Sequence, residues 1–159
     1  MPDFPQPGVL FRDLSPALAD ASVFAAIVDE LATGHGPLDI VLGIEARGFV
    51  LGAAVAHALR HGFAWARKPG KLPTVAQRAS YTLEYGTATL ELPADVLVPG
   101  QRVLVVDDVL ATGGTLAAAC ELVEAAGAEV AGLAVVVELP DLGGRAQLTG
   151  RPLRALLAL

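Results

Sequence analysis

Residues 103–115 read VLVVDDVLATGGT: four apolar residues lead into two adjacent aspartates, and a turn of threonine and glycine follows. The apolar run has the length of a buried strand, and the alanine-rich residues from Thr115 onward have the spacing of a helix. A strand that ends at Asp107 and Asp108 places two carboxylates at a loop between a strand and a helix. Ligands of α/β proteins bind at such loops, so this stretch predicts both a fold and a site.

Apolar strands and helices alternate along the rest of the chain in the same way. Strands are predicted at residues 39–44, 62–67, 102–108 and 128–139, with an edge strand in the tail after residue 142. Helices are predicted at residues 48–60, at residues 115–127, and from a cap at Asp20 or Ser22 to Gly34. Residues 69–80 look irregular, and residues 81–92 predict a hairpin, or two twisted strands, around Tyr85 and Gly86. This order indicates an α/β fold, a parallel-sheet core flanked by helices, in a single domain over residues 1–159.

The composition is typical of a globular protein, with 53% hydrophobic and 18% charged residues. No run of 18 apolar residues is present, and the proline-rich start MPDFPQPG does not resemble a secretory signal. The single cysteine, Cys120, can form no disulfide within the chain. We therefore expect a cytoplasmic location and no membrane partner.

Charge is unevenly distributed along this acidic chain. The net charge is 11 − 17 = −6, yet residues 46–83 carry six cations and no acid. The remaining residues therefore hold five cations and all 17 acids. This distribution argues against a nucleic-acid partner and for a small polyanion held at one place, unless the basic tract is only a solvated loop.

The turn after the aspartates has the residues that a phosphate site needs. Gly113 and Gly114 let the backbone approach a ligand, and the N–H groups at the start of a helix attract a phosphate. The hydroxyls of Thr112 and Thr115 add further donors. Carboxylates repel phosphate but accept hydrogen bonds from a sugar diol or face a bound Mg²⁺. The predicted ligand is therefore a 5-phosphorylated sugar.

Competing phosphate motifs and a purely structural turn fit this stretch less well. The sequence contains neither GxxxxGK[ST] nor a GxGxxG after a strand, which argues against a P-loop protein and a dinucleotide fold. A tight turn capped by threonine is the structural alternative. Such turns are common, but two acids after an apolar strand are not.

Two further loops at the same predicted edge carry cations. EARG (45–48) places Arg47 at a strand-to-helix turn, where a guanidinium can bind a phosphate group. RKPGKLP (67–73) carries three cations beside glycine and proline. Both loops suit a diphosphate, although each alone could be an ordinary exposed loop.

VLVVDDVLATGGT resembles the signature with which type I phosphoribosyltransferases bind PRPP (5-phosphoribosyl 1-diphosphate). PDFPQPGVLFRDLSP, GIEARGF, RKPGKLP, SYTLEYGTATLEL and VVVEL extend the resemblance over essentially the whole chain, to the adenine phosphoribosyltransferases. The resemblance implies a small N-terminal hood in residues 1–14 and a flexible catalytic loop and hairpin in residues 68–92. It also implies purine salvage: transfer of the 5-phosphoribosyl group from PRPP to adenine, giving AMP and diphosphate, with Mg²⁺ carried by PRPP.

The resemblance assigns a PRPP site to matching positions. Asp107 and Asp108 would hold the ribose hydroxyls, near the Mg²⁺. The 5-phosphate would be held by Ala111, Thr112, Gly113, Gly114 and Thr115. Arg47, beside a strained peptide at Glu45-Ala46, would bind the diphosphate. Further cations would act on it across the interface of a homodimer: Arg67, Lys68 and Lys71.

An adenine site follows from the same resemblance. Leu10 and Arg12 would bind the edge of adenine through backbone groups, while Phe11 and Val109 sandwich the ring. Ala111 stands where enzymes for 6-oxopurines typically carry an acid. This difference argues for adenine over hypoxanthine or guanine.

The expected catalytic residues are Glu84, Tyr85 and Arg47. Glu84 and Tyr85 would lie on the loop that closes over the site, and Glu84 would mediate loss of the purine proton. Without the resemblance, Glu84 would be taken for an exposed glutamate of a strand.

A regulator that senses PRPP is the alternative from a different functional class. Such regulators usually carry an added nucleic-acid-binding domain and tend to lose the flexible catalytic loop. This sequence has no spare length for such a domain and keeps SYTLEYG. The enzyme is therefore the favoured function.

Overall fold

The computed structural model describes residues 13–83 and 86–159, in which helices alternate with strands. In chain order the elements are α1 (Ser15–Ala19), α2 (Ala21–Ala32), β1 (Ile40–Ile44), α3 (Arg47–Leu59), β2 (Gly62–Ala66), β3 (Val75–Leu83), β4 (Gly86–Pro93), β5 (Arg102–Leu110), α4 (Gly114–Ala125), β6 (Glu129–Glu138) and β7 (Leu153–Ala158). Two short 3₁₀ segments, Pro140–Leu142 and Gly144–Leu148, lie between β6 and β7. None of the described helices is long and apolar enough to cross a membrane.

Five of the strands form one sheet in the order β2-β1-β5-β6-β7. Every neighbouring pair in this sheet is parallel, so the carboxyl ends of its strands lie at one edge. The sheet and its helices confirm the predicted α/β fold, and β5 occupies the central position.

Both faces of the sheet are buried, as its continuous apolar strands predict. Along β5, Val103 and Val105 belong to the apolar cluster that includes α4, while Leu104 and Val106 belong to the cluster that includes α2 and α3. All four side chains are fully buried. Burial of each one stabilises the fold by roughly 1.5–3 kcal/mol, which holds the central strand firmly where the aspartates begin.

The central strand is longer than the sequence predicts. Pairing of β5 with β6 continues past the aspartates, with Val109 opposite Val137 and Leu110 opposite Glu138. The predicted strand end at Asp108 was wrong because the two acids do not interrupt the backbone hydrogen bonds, which Val109 and Leu110 continue. The two aspartates therefore lie within the strand and share its rigidity.

The strands β3 and β4 form a separate antiparallel sheet that packs on α4. Leu83 lies opposite Gly86, which confirms the predicted hairpin. Residues 75–80, predicted to be irregular, belong to β3. They lack a run of large apolar side chains, but their backbone pairs with the part of β4 that carries the buried Leu90 and Leu92.

The predictions of the α2 cap and of the tail strand were correct, but three short helical segments were missed. Asp20 caps α2, since its carboxylate accepts hydrogen bonds from the N–H groups of Ser22 and Val23, and β7 is the predicted edge strand. Neither α1 nor the 3₁₀ segments were predicted, because they are too short to show a periodic pattern. Residues 1–12 of the predicted hood lie outside the described residues.

Candidate active site

Two buried carboxylates lie near the end of the central strand. Asp107 and Asp108 are 8% and 6% exposed, and the N–H of Asp108 donates to Oδ1 of Asp107 over 2.9 Å. Burial raises the pKa of Asp107 well above its usual range, and the negative charge of Asp108 raises it further. Two adjacent buried acids are unfavourable in a protein without ligand, which is typical of a functional site.

Arg47 supplies a positive charge beside this pair. It is the first residue of α3, and the unusual peptide expected before it is a cis peptide bond between Glu45 and Ala46. Its Nε lies 2.8 Å from Oδ2 of Asp108, and its side chain is 45% exposed. The guanidinium therefore pairs with the buried aspartates and remains partly exposed, so a ligand can reach it.

Close packing of α3 on β5 brings Arg47 to this position. A Cβ added to Gly48 would lie 2.8 Å from the carbonyl oxygen of Val106 and 2.9 Å from Oδ1 of Asp107. Such distances are too short for a real side chain. The glycine that follows Arg47 thus lets the first turn of α3 lie directly against the aspartates.

The turn between β5 and α4 has the geometry of an anion site. Gly113 has a φ of 89° and precedes Gly114, the first residue of α4. No described side chain caps this helix, so the N–H groups of its first turn can bind a ligand. A cavity of about 50 Å³ lies at the turn, lined by residues 109–113, Thr115 and Leu116.

The segment Gly144–Leu148, which follows β6, packs against this turn, and we call it the glycine shelf. A Cβ on Gly113 would lie 2.4 Å from the carbonyl oxygen of Gly144, and a Cβ on Gly144 would lie 2.1 Å from the carbonyl oxygen of Ala111. The Nε of Arg145 donates to Glu138 at the end of β6 over 2.9 Å, and this contact holds the pKa of Glu138 below its usual range. The turn and the glycine shelf therefore meet backbone to backbone.

The loop after β2 carries three cations and is tied to the same edge of the sheet. The N–H of Lys68 donates to Oε2 of Glu45 over 2.9 Å, and Nε of Arg67 donates to the same oxygen over 3.3 Å. Partial burial opposes ionisation of Glu45, but the two donors outweigh it and hold its pKa below the usual range. Glu45 thus links this loop to Arg47, two residues further along, while Lys71 of the same loop is exposed.

Comparison with known proteins explains why the aspartate pair, the turn before α4 and the cationic loop occur together. The phosphoribosyl transferase domain family matches residues 17–148. The adenine phosphoribosyltransferase of Saccharopolyspora erythraea is 64% identical over 99% of this chain and 86% of its own length. This chain belongs to the adenine phosphoribosyltransferases, a family of phosphoribosyltransferases. The adenine phosphoribosyltransferase of Clavibacter michiganensis subsp. michiganensis is 58% identical over all of this chain and 91% of its own length.

Solved structures of adenine phosphoribosyltransferases have the same fold. The enzyme from Thermoanaerobacter pseudethanolicus superposes with a TM-score of 0.96 at 43% identity, over 100% of this chain and 94% of that one. The enzyme from Trypanosoma brucei, in complex with AMP, pyrophosphate and ribose-5-phosphate, superposes with a TM-score of 0.86 at 27% identity, over 98% of this chain and 72% of that one. The family and fold inferred from the sequence are confirmed.

The structure describes most of the predicted site residues. The turn, the aspartates and Arg47 lie around the carboxyl end of the sheet, and Arg67 and Lys68 join them through Glu45. Val109 is half-buried, packs on the core and also lines the cavity at the turn. The predicted site residues that lie outside the described residues are Leu10, Phe11, Arg12, Glu84 and Tyr85.

Three residues of this site were not assigned roles from the sequence. Gly144 packs against the turn between β5 and α4, and Glu45 and Glu91 hold the cationic loop. The Gly-Gly pair at positions 143 and 144 was a usable signal, because two glycines after a buried strand often mark a close backbone approach. Glu91 gave no signal, since it stands in an alternating hairpin pattern where a polar residue is expected to face solvent.

Proposed function

We propose that this protein transfers the 5-phosphoribosyl group of PRPP to adenine and releases AMP and diphosphate, a reaction of purine salvage. The observation that carries the proposal is the pair of buried aspartates beside a phosphate turn, in a chain 64% identical to an adenine phosphoribosyltransferase. The ligands of the trypanosomal structure are AMP, pyrophosphate and ribose-5-phosphate, which are parts of this reaction.

In this proposal the central strand and its turn hold the phosphoribosyl group. The N–H groups of residues 111–115 and the hydroxyls of Thr112 and Thr115 bind the 5-phosphate, favoured by the positive end of the α4 dipole. Asp107 and Asp108 accept hydrogen bonds from the ribose hydroxyls. Since these residues are parts of one rigid strand and turn, they fix the position of the anomeric carbon.

The reaction exchanges one bond at that carbon for another. The bond from the anomeric carbon to the diphosphate oxygen breaks, and a bond to a nitrogen of adenine forms. Negative charge grows on the departing diphosphate, and Arg47, Arg67, Lys68 and Lys71 are the proposed groups that stabilise it. The purine gives up a proton as it gains the sugar, and Glu84 is the proposed mediator, with Tyr85 beside it on the closing loop.

A magnesium ion fits the residues that surround the proposed PRPP site. Asp107 and Asp108 offer carboxylate oxygens, which Mg²⁺ prefers, and Mg²⁺ usually combines one or two carboxylates with phosphate oxygens of a substrate. Within residues 13–83 and 86–159, no group of three or more His, Cys, Asp or Glu forms a cage for a metal. We therefore propose that Mg²⁺ arrives on PRPP, where it would neutralise charge on the diphosphate.

Adenine is the proposed base because of residue 111. Ala111 lies in the phosphate turn and offers no acid to a purine. Leu10, Phe11 and Arg12 remain the proposed partners of the adenine ring, together with Val109. We also propose a cytoplasmic location, with which the free thiol of the single cysteine, Cys120, is compatible.

A homodimer is proposed through an exposed apolar patch beside the cationic loop. Trp65 on the edge strand β2 is 43% exposed and Val50 on α3 is 53% exposed. The ring of Phe49 lies 6.0 Å from that of Trp65, and the guanidinium of Arg67 lies 5.6 Å from the Phe49 ring. A second copy that covers this patch would also approach the loop proposed to bind diphosphate.

If the protein is a dimer, its mass in solution is expected to be twice the chain's 16.3 kDa. Light scattering coupled to size-exclusion chromatography measures this mass. Trp65→Glu is expected to shift the protein toward the monomer because it places a charge in a dry interface. Leu157→Glu is the matched control, since Leu157 is also exposed but lies on the opposite edge strand. A monomeric unaltered protein, or dissociation by the Leu157 variant alone, would contradict this interface.

The proposed reaction is tested by product formation from PRPP and Mg²⁺ with adenine, hypoxanthine, guanine or no base. We expect AMP from adenine and no nucleotide from the other two bases, because Ala111 supplies no acid to a 6-oxopurine. Chromatographic separation of the nucleotides measures all four reactions in parallel.

The same assay separates the alternatives. Turnover of hypoxanthine or guanine would retain the PRPP site but overturn the choice of base. Measurable PRPP binding without turnover of any base would favour the PRPP-sensing regulator. Glu84→Gln, assayed beside the unaltered protein, shows whether Glu84 mediates proton loss, since unchanged turnover would remove it from that role.

A further inference from the structure

Glu91 is the most buried acidic residue among those that the structure describes, although it does not belong to the aspartate pair. It lies on β4 and is 2% exposed. A buried carboxylate is costly unless it is paired and hydrogen-bonded. The partners of Glu91 therefore indicate why a charge is kept there.

The carboxylate of Glu91 joins two different parts of the chain. Its Oε1 accepts a hydrogen bond from Nε of Arg78 on β3 over 2.8 Å. Its Oε2 accepts one from the N–H of Gly70, in the loop after β2, over 3.3 Å. Arg78 also lies directly opposite Glu91 in the hairpin register, so the carboxylate links the hairpin to the cationic loop.

The backbone of Glu91 holds the start of the same loop. The N–H of Arg67 donates to the carbonyl oxygen of Glu91 over 2.9 Å. In return, the N–H of Glu91 donates to the carbonyl oxygen of Arg67 over 2.7 Å. One residue of β4 thus holds the loop at position 67 through its backbone and at position 70 through its side chain.

Two glutamates together accept all the backbone N–H donors of residues 67–70. The N–H groups of Arg67 and Gly70 go to Glu91, and that of Lys68 goes to Oε2 of Glu45. Pro69 has no N–H to place. The loop backbone is therefore fixed from the protein side, while the side chains of Lys68 and Lys71 extend from exposed positions.

We infer that Glu91 is a positioning residue that sets the cationic loop for the diphosphate group and ties it to the β3–β4 hairpin. The inference rests on the proposed function, because it assigns the loop's cations to a diphosphate. Glu91 touches neither substrate in this role; it acts through Gly70, Arg67 and Arg78.

Replacement by glutamine separates the two links of the carboxylate. A glutamine side chain has one acceptor oxygen, whereas Glu91 uses both oxygens. In Glu91→Gln the oxygen is expected to turn to the charged Arg78, because a charge-assisted hydrogen bond is stronger. The amide NH₂ then faces the N–H of Gly70, and the loop loses its anchor there. In Glu91→Gln with Arg78→Met, the oxygen can return to Gly70.

The test is binding of inorganic diphosphate with Mg²⁺ by calorimetry, together with amide hydrogen exchange at Gly70. For Glu91→Gln we expect the diphosphate Kd to rise about tenfold and Gly70 exchange to accelerate about as much, since one hydrogen bond is lost. Adenine affinity is expected to stay within about twofold. The double variant is expected to return both quantities to within about threefold of the unaltered protein.

Glu30→Gln is the matched control, because Glu30 forms an exposed ion pair with Arg154 and has no contact with the loop. It is expected to change neither diphosphate affinity nor Gly70 exchange. Unchanged diphosphate affinity in Glu91→Gln, equal weakening of adenine, or no recovery in the double variant would overturn the positioning role. Failure of the unaltered protein to bind diphosphate would contradict the proposed function, and Gly70 exchange would then show separately whether Glu91 anchors the loop.

Discussion

Replacement of both Asp107 and Asp108 by asparagine is expected to weaken PRPP binding about 1000-fold, because two hydrogen bonds to charged acceptors contribute about 1.5–3 kcal/mol each. The asparagines keep the size of the side chains but remove both negative charges. Adenine affinity is expected to stay within about threefold, since the base lies beyond the ribose. Calorimetric titration with PRPP and Mg²⁺, and separately with adenine, measures both effects.

The two single variants distinguish the aspartates. Asp108→Asn removes the charge partner of Arg47, whose Nε lies 2.8 Å from Asp108, so it is expected to disturb the diphosphate end as well as the ribose. Asp107→Asn leaves that pair intact and is expected to affect the ribose alone. Equal losses of PRPP and adenine affinity in the double variant would contradict the assignment of these residues to the ribose.

Heat stability provides an independent measurement on Asp107→Asn. The pKa of Asp107 is raised in the folded protein, so this carboxyl costs folding free energy at pH values above its ordinary pKa of 3.8; the cost shrinks as pH falls below the raised pKa and is gone below 3.8. The variant is therefore expected to melt at a higher temperature than the unaltered protein at pH 7. The gain is expected to vanish in acid, where the aspartate is already protonated. A lower Tm at pH 7 would show that Asp107 stabilises the fold.

The opposite effects expected on ligand binding and on stability explain why the sequence predicts a site here. An apolar strand is an unfavourable place for two acids, so VLVVDD pointed to a function rather than to packing. The turn was equally informative, because Gly113 and Gly114 stand where a backbone must approach a ligand. The parallel sheet followed from apolar runs that are buried on both faces, such as Val103 to Val106.

The features that the sequence did not reveal depend on contacts between distant segments. Gly144 meets Gly113 only because the segment after β6 folds against the turn, and the Gly-Gly pair at positions 143 and 144 signals a close approach without showing which segment is approached. Glu91 occupies an alternating position typical of an exposed residue, but the loop after β2 folds over it and buries it. β5 extends to Leu110 because β6 offers a backbone partner there. In each case the decisive neighbour is remote in sequence.

Gly144→Ala is expected to raise the KM for PRPP about 100-fold, because displacement of a binding loop by about 1 Å can cost that much. The φ of Gly144 is not positive, so alanine can adopt its backbone conformation. Its Cβ, however, would lie 2.1 Å from the carbonyl oxygen of Ala111 and 2.8 Å from the nitrogen of Gly113. Both atoms belong to the turn proposed to hold the 5-phosphate, so the turn and the glycine shelf must move apart.

Gly36→Ala is the matched control, because a Cβ on Gly36 would have no neighbour within 4 Å and its φ is not positive. It is expected to leave the KM for PRPP and the Tm unchanged. Overpacking at Gly144 also lowers stability, by about 1–3 kcal/mol. The assay is therefore made well below the Tm of the variant, so that the measured KM belongs to folded protein.

Arg145→Met loosens the glycine shelf without adding atoms to it. It removes the ion pair with Glu138 that anchors the segment at the end of β6, and is expected to raise the KM for PRPP about tenfold, the effect of losing roughly 1.4 kcal/mol of support. If both Gly144→Ala and Arg145→Met weaken PRPP without weakening adenine, the shelf acts through the position of the phosphate turn. Wild-type KM values for PRPP in both variants would show that the turn holds its shape alone, and that the close contact of the two glycines serves packing only.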